Sequence, residues 1–328
     1  MEKQINKQIN FFEPEMDSLV RKDHPYRKIL ELVDFAGLTR QLKFLLNRKY
    51  GRPGYNIESG FKGLILQFME DLSDRELERY LQENVAGKLF CDFKLTEKTP
   101  DHSYFSELRR KIGVERLAKL FNKFGDKLKA KGLVTNIFTF VDASKMISKM
   151  SLWEERDKAI AAGEEKLNNQ NIEKYSADKD ADYGCKGNKD FWYGYKRHVA
   201  VCMKNGLITK TAVTKASITD AKGLKHVCPK EGMVIADKAY CVKPAQDIMR
   251  KNGCHSGAIL KENMIGKNRD KDRFLTKLRM PYEGVFSRVN KKVRYRGLAK
   301  AQFQGFMQAL AFNLKRLIKV GAPPLIFG

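Results

Sequence analysis

The chain has no Cys-x-x-Cys pair, no apolar run of membrane-spanning length, no internal repeat and too few acids to balance its bases. Its six cysteines, Cys91, Cys185, Cys202, Cys228, Cys241 and Cys254, are scattered, which excludes a zinc ribbon and a disulfide framework and leaves them as small, reduced, apolar residues. The opening stretch MEKQINKQINFFEPEMD lacks the apolar segment of a signal peptide. No later run reaches the roughly 20 apolar residues a membrane helix needs, so a cytoplasmic protein with no membrane partner is expected. The shortage of acids is the largest departure from average composition. Asp and Glu number 39 against 63 Lys and Arg, giving a net charge of +24 and a pI near 9.7. A solvated surface that basic suits a polyanion, and nucleic acid first among polyanions.

With 328 residues and 42% hydrophobic content, the chain exceeds the size at which one core stops growing, so two folded units are expected. From HPYRKILELVDFAGLTRQL to about Gly132 the apolar residues recur at helical spacing. Ile65, Phe68, Met69 and Leu72 form one stripe, and Leu108, Ile112, Leu117, Leu120, Phe121 and Phe124 another. Ser73 with Glu76 reads as a capping box. Residues 1–132 are therefore read as a helical amino-terminal domain, serving DNA binding or dimerisation.

At Leu133 the period changes. LVTNIFTFVDASK reads as a strand ending at Asp142, and FWYGYKRHVAVCMKNGLITKTAVTKASITD as two strands joined at KNG. AKGLKHV reads as a short helix, MVIAD and SGAILKEN as strands, and VKPAQDIMRKNG as a helix with Pro244 in its first turn. A polar insertion spans 151–189, KNRDKDRF reads as an interruption, and a terminal helix places Phe303, Phe306, Met307, Leu310, Leu314 and Leu317 on one face. The expected fold is α/β, a mixed sheet flanked by helices over 133–320, followed by a frayed tail at 321–328.

Three acids stand out. Asp142 in IFTFVDAS and Asp237 in MVIADKAY both close apolar strand-like segments, where an acid is costly to bury and a poor strand former. Glu283 lies in RMPYEGVFSRVNKK, at the start of a basic helical stretch. Converging, the three would hold hard divalent cations and act on a phosphodiester. Singly, each has a plainer reading: Asp142 as the cap of a helix from Ala143, Asp237 as a turn residue, Glu283 as the partner of Arg279.

The ordered set FVDAS, YGYKRHVAV with VTKASITDAKGL, VIADKAY and RMPYEGVFSRVNKKVRYRGLAKAQFQ resembles bacterial transposases of the group named for insertion sequence five. That group is part of the larger insertion-sequence-four assemblage. The helical GYNIESGFKGLILQFMEDLSDRELERYLQENVAGKLFCDF and TPDHSYFSELRRKIG resemble the same group's amino-terminal domain, so the likeness covers most of the chain. The resemblance implies a ribonuclease-H-like catalytic domain with the triad Asp142, Asp237 and Glu283 as catalytic residues and metal ligands. It also implies two magnesium ions, with manganese able to substitute, double-stranded transposon-end and target DNA as partners, and a homo-oligomer in the synaptic complex. Such a protein is nucleoid-associated. Its reaction is hydrolysis at the transposon end followed by transfer of the freed 3'-hydroxyl to target DNA. The family's arginine four before the glutamate matches Arg279. Its tyrosine three residues earlier is Thr276 here, and its lysine seven after the glutamate is Asn290, with Lys291 one place on. A catalytically impaired or domesticated DNA-binding protein of the same fold and a related metal-dependent nuclease remain alternatives.

Basic residues near the acids are candidate DNA contacts: Lys196 and Arg197 with His198 in YGYKRHVAV, Lys238, Arg279, and the run Lys291, Lys292, Arg294, Arg296 and Lys300. Trp192 and Tyr193 are open to base stacking or core packing. Asp178, Asp180 and Asp182 imitate the start of a calcium loop, but Tyr183 and Lys189 stand where that loop needs glycine and glutamate, so they read as a solvated loop.

Overall fold

A computed structural model describes residues 16–46, 54–149, 152–187, 190–287 and 291–327. The chain divides into two compact units, Met1–Leu133 with Leu310–Gly328, and Val134–Ala309.

The first unit is helical. Its described elements are α1 (Met16–Leu19), α2 (Pro25–Leu32), α3 (Phe35–Thr39), a 3-10 segment Arg40–Leu46, α4 (Ile57–Met69), α5 (Asp74–Glu83), α6 (Val85–Phe90) and α7 (His102–Ala130). The capping box is present: Glu76 N–H donates to Ser73 Oγ at 3.3 Å and Ser73 N–H to Glu76 Oε2 at 2.7 Å. The expected α7 stripe is buried throughout, with a break at Gly113, whose φ of 65° lies in the left-handed region. The tail is packed rather than frayed. Leu325 N–H donates to the Leu32 carbonyl at 2.7 Å and Phe327 N–H to Asp34 Oδ2 at 3.2 Å. Leu325 and Phe327 are buried, so residues from Leu310 onward belong to the helical unit by their packing.

The second unit is a mixed sheet flanked by helices. Its elements are β1 (Phe138–Lys149), α8 (Trp153–Ala161), α9 (Ile172–Tyr175), β2 (Asp182–Lys186), β3 (Asp190–Cys202), β4 (Leu207–Lys215), α10 (Asp220–Gly223), β5 (Gly232–Ala236), α11 (Lys243–Lys251), β6 (Cys254–Ala258), α12 (Arg269–Ser287) and the start of α13 (Leu298–Lys319). The strand order is β2-β3-β1-β5-β6, and β4 also pairs with β3. β2 and β4 lie end to end on one edge of β3, facing residues 190–194 and 195–202. Without the short β2 the order is β4-β3-β1-β5-β6. The first three strands are antiparallel, and β5 and β6 run parallel to β1, which is the ribonuclease-H-like arrangement.

Three sequence expectations change here. β1 does not stop at Asp142 but runs to Lys149, because β3 pairs with it over the whole length. KNRDKDRF does not interrupt the chain before a helix. Its Arg269 opens α12, and Asn268 Oδ1 accepts the Lys271 N–H at 2.9 Å. The insertion contains a strand, β2, that alternation did not reveal. One face of the sheet packs Val141, Ala200, Val234 and Ala236 against Ala221, Ala245 and Met249 of α10 and α11. Burying such aliphatic surface on both sides of central strands is the main stabilising term of the sheet.

Candidate active site

The site begins with strand register. Phe138 pairs with Met233, Thr139 with Val234 and Phe140 with Ile235 in the parallel β1–β5 ladder. Two positions beyond the last pair both chains carry an aspartate, Asp142 and Asp237. The ladder thus delivers the two acids side by side where β5 ends, and the carboxyl end of a parallel pair is where an open sheet leaves a crevice. Asp142 Oδ1 accepts the Ala143 N–H at 2.8 Å. Asp237 caps a 3-10 turn, Lys238–Tyr240, with Oδ1 accepting the Ala239 N–H at 2.9 Å. The plainer reading of Asp237 as a turn residue is thus true of its backbone, whereas Asp142 caps no helix.

Burial raises the Asp142 pKa to about 6. The Ala143 N–H acts in the opposite sense, the charge of Asp237 raises it further, and Arg279 and Lys186 lower it. Two carboxylates so arranged repel each other and offer hard oxygen to a cation.

Glu283 comes from α12, which packs against β1 and β5. Its side chain is half exposed and pairs with Arg279 Nη2 at 3.3 Å, one helical turn earlier. Arg279 is 13% exposed and lies 5.8 Å from the centre of the Phe140 ring. Phe140 and Asp142, two apart on β1, share a face. The guanidinium therefore links the third acid to the first. Among the described residues no three His, Cys, Asp or Glu side chains are grouped closely enough to hold a metal ion. Asp142 and Asp237 are brought together, and Glu283 stands on the neighbouring helix, engaged with Arg279.

Two residues near the acids escaped the sequence reading. Tyr240, in ADKAY, is fully buried and its hydroxyl has no hydrogen-bond partner among the described residues. Burial lifts its pKa well above the usual phenol range, with Asp142, Asp220 and Asp237 adding to the effect in that order. Asp220, the first residue of α10, pairs with Lys196 Nζ at 2.9 Å. No spacing signal in the sequence marks either one, since the β4–α10 connection and the 3-10 turn meet only in the folded sheet.

The basic candidates divide sharply. Lys196 is buried: Nζ donates to the Ile218 carbonyl at 2.9 Å and lies over Trp192 at 5.7 Å. Arg197 is 3% exposed, donating through Nη1 to Gln308 Oε1 at 2.9 Å and through Nη2 to Ser144 Oγ at 3.2 Å. Its burial depresses its pKa to about 10. Neither can reach a phosphate from these positions. His198, held at about 4 by burial, is a core residue bonded to Thr214 Oγ1 at 2.9 Å. The cause is common to all three: β3 is paired on both edges and covered on both faces, so every residue from Trp192 to Cys202 is buried. Trp192 and Tyr193 likewise pack inside, Trp192 Nε1 donating to the Tyr195 carbonyl at 3.0 Å.

Lys238, Lys291, Lys292 and Arg296 are exposed, and Arg294 is partly so. The backbone that carries the run is held firmly. Ile147 N–H donates to the Lys291 carbonyl at 2.7 Å and Val293 N–H to the Ile147 carbonyl at 2.9 Å. Gln304 bonds the Lys292 carbonyl and the Arg294 N–H, each at 2.9 Å. Asn290 and Lys189 lie outside the described residues. Thr276, on the exposed side of α12, bonds the Asp272 carbonyl at 2.8 Å.

Fold and site together define a mixed α/β protein with an acid pair at the level where a parallel strand pair ends, and with a basic segment tied to β1 at Ile147. Two protein families match it: a transposase domain (DUF772) over residues 14–111 and a transposase DDE domain over residues 167–314. The matches support a DDE transposase of insertion-sequence type. The second takes in Asp237 and Glu283, and Asp142 precedes it. A solved Mos1 transposase paired-end complex with left transposon end is similar at 8% identity and a TM-score of 0.18, covering 85% of this chain and 83% of that one. No curated protein matches the chain. Among the described residues no helix is long and apolar enough to cross a membrane.

Proposed function

We propose that this protein is a metal-dependent DDE transposase that cuts transposon-end DNA and joins the freed 3'-hydroxyl to target DNA. The observation that carries the reading is the register of β1 on β5, which brings Asp142 and Asp237 together beside the helix bearing Glu283. The donor set fits magnesium or manganese: oxygen only, with the Asp142 carboxyl raised by burial and by its neighbour's charge. Asp142 and Asp237 would hold the ions, with Glu283 completing the set after releasing Arg279. Bound there, two divalent ions supply an activated attacking oxygen and a stabilised leaving oxygen. The chain's own share is alignment. Lys291, Lys292, Arg294 and Arg296 fix the DNA backbone by charge, and Arg279, once free of Glu283, adds a cation beside the acids. The helical unit is assigned to DNA binding or to dimerisation, with double-stranded DNA and a second copy of the chain as partners.

The test is a labelled transposon-end duplex with purified protein and magnesium. Asp142→Asn, Asp237→Asn and Glu283→Gln should each abolish cleavage while retaining duplex binding. Parental cleavage by any one of them would remove that residue from the triad. Cleavage without end joining would identify a nuclease instead.

A further inference from the structure

The acidic DKDAD stretch is not the solvated loop its composition suggests. Asp178 is 5% exposed, and three donors from three elements converge on its carboxylate. Ser148 Oγ at the end of β1 donates to Oδ2 at 2.8 Å, Tyr195 OH on β3 to Oδ1 at 2.7 Å, and Gly297 N–H to Oδ1 at 3.1 Å. Asp180 Oδ2 accepts the Leu298 N–H at 2.9 Å. Gly297 and Leu298 open α13, whose first amides have no partner within the helix and whose positive end favours a carboxylate. Gly297 has a φ of 96°, a conformation that suits glycine.

These contacts close a frame around residues 291–296. One end of that run is tied to Ile147, adjacent to Ser148. The other enters α13 at Gly297, and Gln304 holds its middle. Asp178 grips both sides, Ser148 and Gly297. The loop's acids are engaged within the fold: Asp178 is buried, and Asp182 is held by Ser217 and Lys215.

We propose that Asp178 and Asp180 are positioning residues for DNA binding: they clamp the basic run 291–296 into one conformation, so that its cations meet the phosphate backbone without an ordering cost. This rests on the reading of that run as a DNA contact. A segment ordered before binding loses less conformational freedom on binding, which raises affinity without any new contact. The polar insertion thereby acquires a role as the support of the basic segment.

The experiment uses the full chain and a short duplex of random sequence, with anisotropy measured across a salt series and amide exchange followed over residues 291–298. Asp180→Ala removes one surface hydrogen bond and is the informative variant, since Asp178→Ala strands three buried donors and can fail to fold. For Asp180→Ala we expect faster exchange across 291–298, roughly tenfold weaker binding at low salt and a shallower dependence of affinity on salt. Asp180→Asn, which keeps an acceptor oxygen, should restore all three. Parental affinity and salt slope in Asp180→Ala would overturn the proposal, as would a loss that Asp180→Asn does not rescue. The paired control is Lys291→Ala with Lys292→Ala. If that double variant binds as the parent does, the DNA-contact reading itself fails. If it binds weakly while Asp180→Ala does not, only the clamp is wrong.

Discussion

Asp142, inside β1, and Asp237, the residue after β5, stand at the same level of one parallel ladder, and each spends one oxygen on a nearby backbone amide, Asp142 on Ala143 and Asp237 on Ala239. Charge that is buried and faces like charge is a cost to the fold, and that cost can be measured.

Asp142→Asn should stabilise the metal-free protein. The folded pKa of about 6 lies above the ordinary carboxylate value near 3.8, so ionising Asp142 opposes folding. The sign follows: well below pH 3.8 the group is protonated in both states and costs nothing, from there to pH 6 the penalty grows, and above pH 6 it is complete. A shift of this size corresponds to about 2 kcal/mol after allowance for solvent. Urea unfolding at pH 8 in chelator should show the variant more stable by that amount, and the difference should shrink as the pH falls below 6 and vanish well below pH 3.8. A parent at least as stable as the variant at pH 8 would contradict the burial argument.

Arg279→Gln should move the Asp142 titration upward, because Arg279 is a cation that lowers it. Carboxyl-carbon NMR of the metal-free protein reads the midpoint directly. An unchanged midpoint would mean that Arg279 does not act on the first acid.

Substitutions in the two basic groups should separate. Arg197→Ala removes a buried side chain together with its hydrogen bonds to Gln308 and Ser144, costing about 2–4 kcal/mol. The folded fraction should keep the parental salt dependence of duplex binding. Lys291→Ala should be near neutral for stability and lower the salt slope by about one. The reverse pattern would restore Arg197 as a phosphate contact.

Gly232→Ala should disturb the strand that carries Asp237. Gly232 has a φ of 85°, and a Cβ there would stand 1.8 Å from the Asn136 carbonyl oxygen. Loss of at least about 2 kcal/mol is expected from the left-handed backbone and the clash together, and calorimetry would reveal it. A variant with parental melting would show that β5 can start elsewhere.

Much of the architecture could be read along the chain. The α7 stripe, the capping box at Ser73 and Glu76, the turn at Gly206 between β3 and β4, and the apolar MVIA of β5 are local patterns, and each is formed by residues near one another in sequence. Less of the site could be read. Asp142 was expected to end a strand because VDAS looks like an exit, yet β3 continues to pair beyond it. Lys196 and Arg197 looked available because they are charged, and β3 turned out to be covered on every side. The DKDAD acids looked solvated because they are many, and Asp178 found three donors on distant elements.

Local patterns carried the helical first unit, most strand and helix segments of the second and the excess of positive charge. All follow from periodicity, capping and composition, which act over a few residues. Only the tertiary structure decided which charges face water, that Asp142 and Asp237 stand together while Glu283 is held by Arg279, and that an acidic loop supports a basic one. Those outcomes depend on which strands become central and which donors reach a buried carboxylate. Pairing between remote segments settles both, because a charge stays buried only where a partner from elsewhere in the chain offsets its lost hydration.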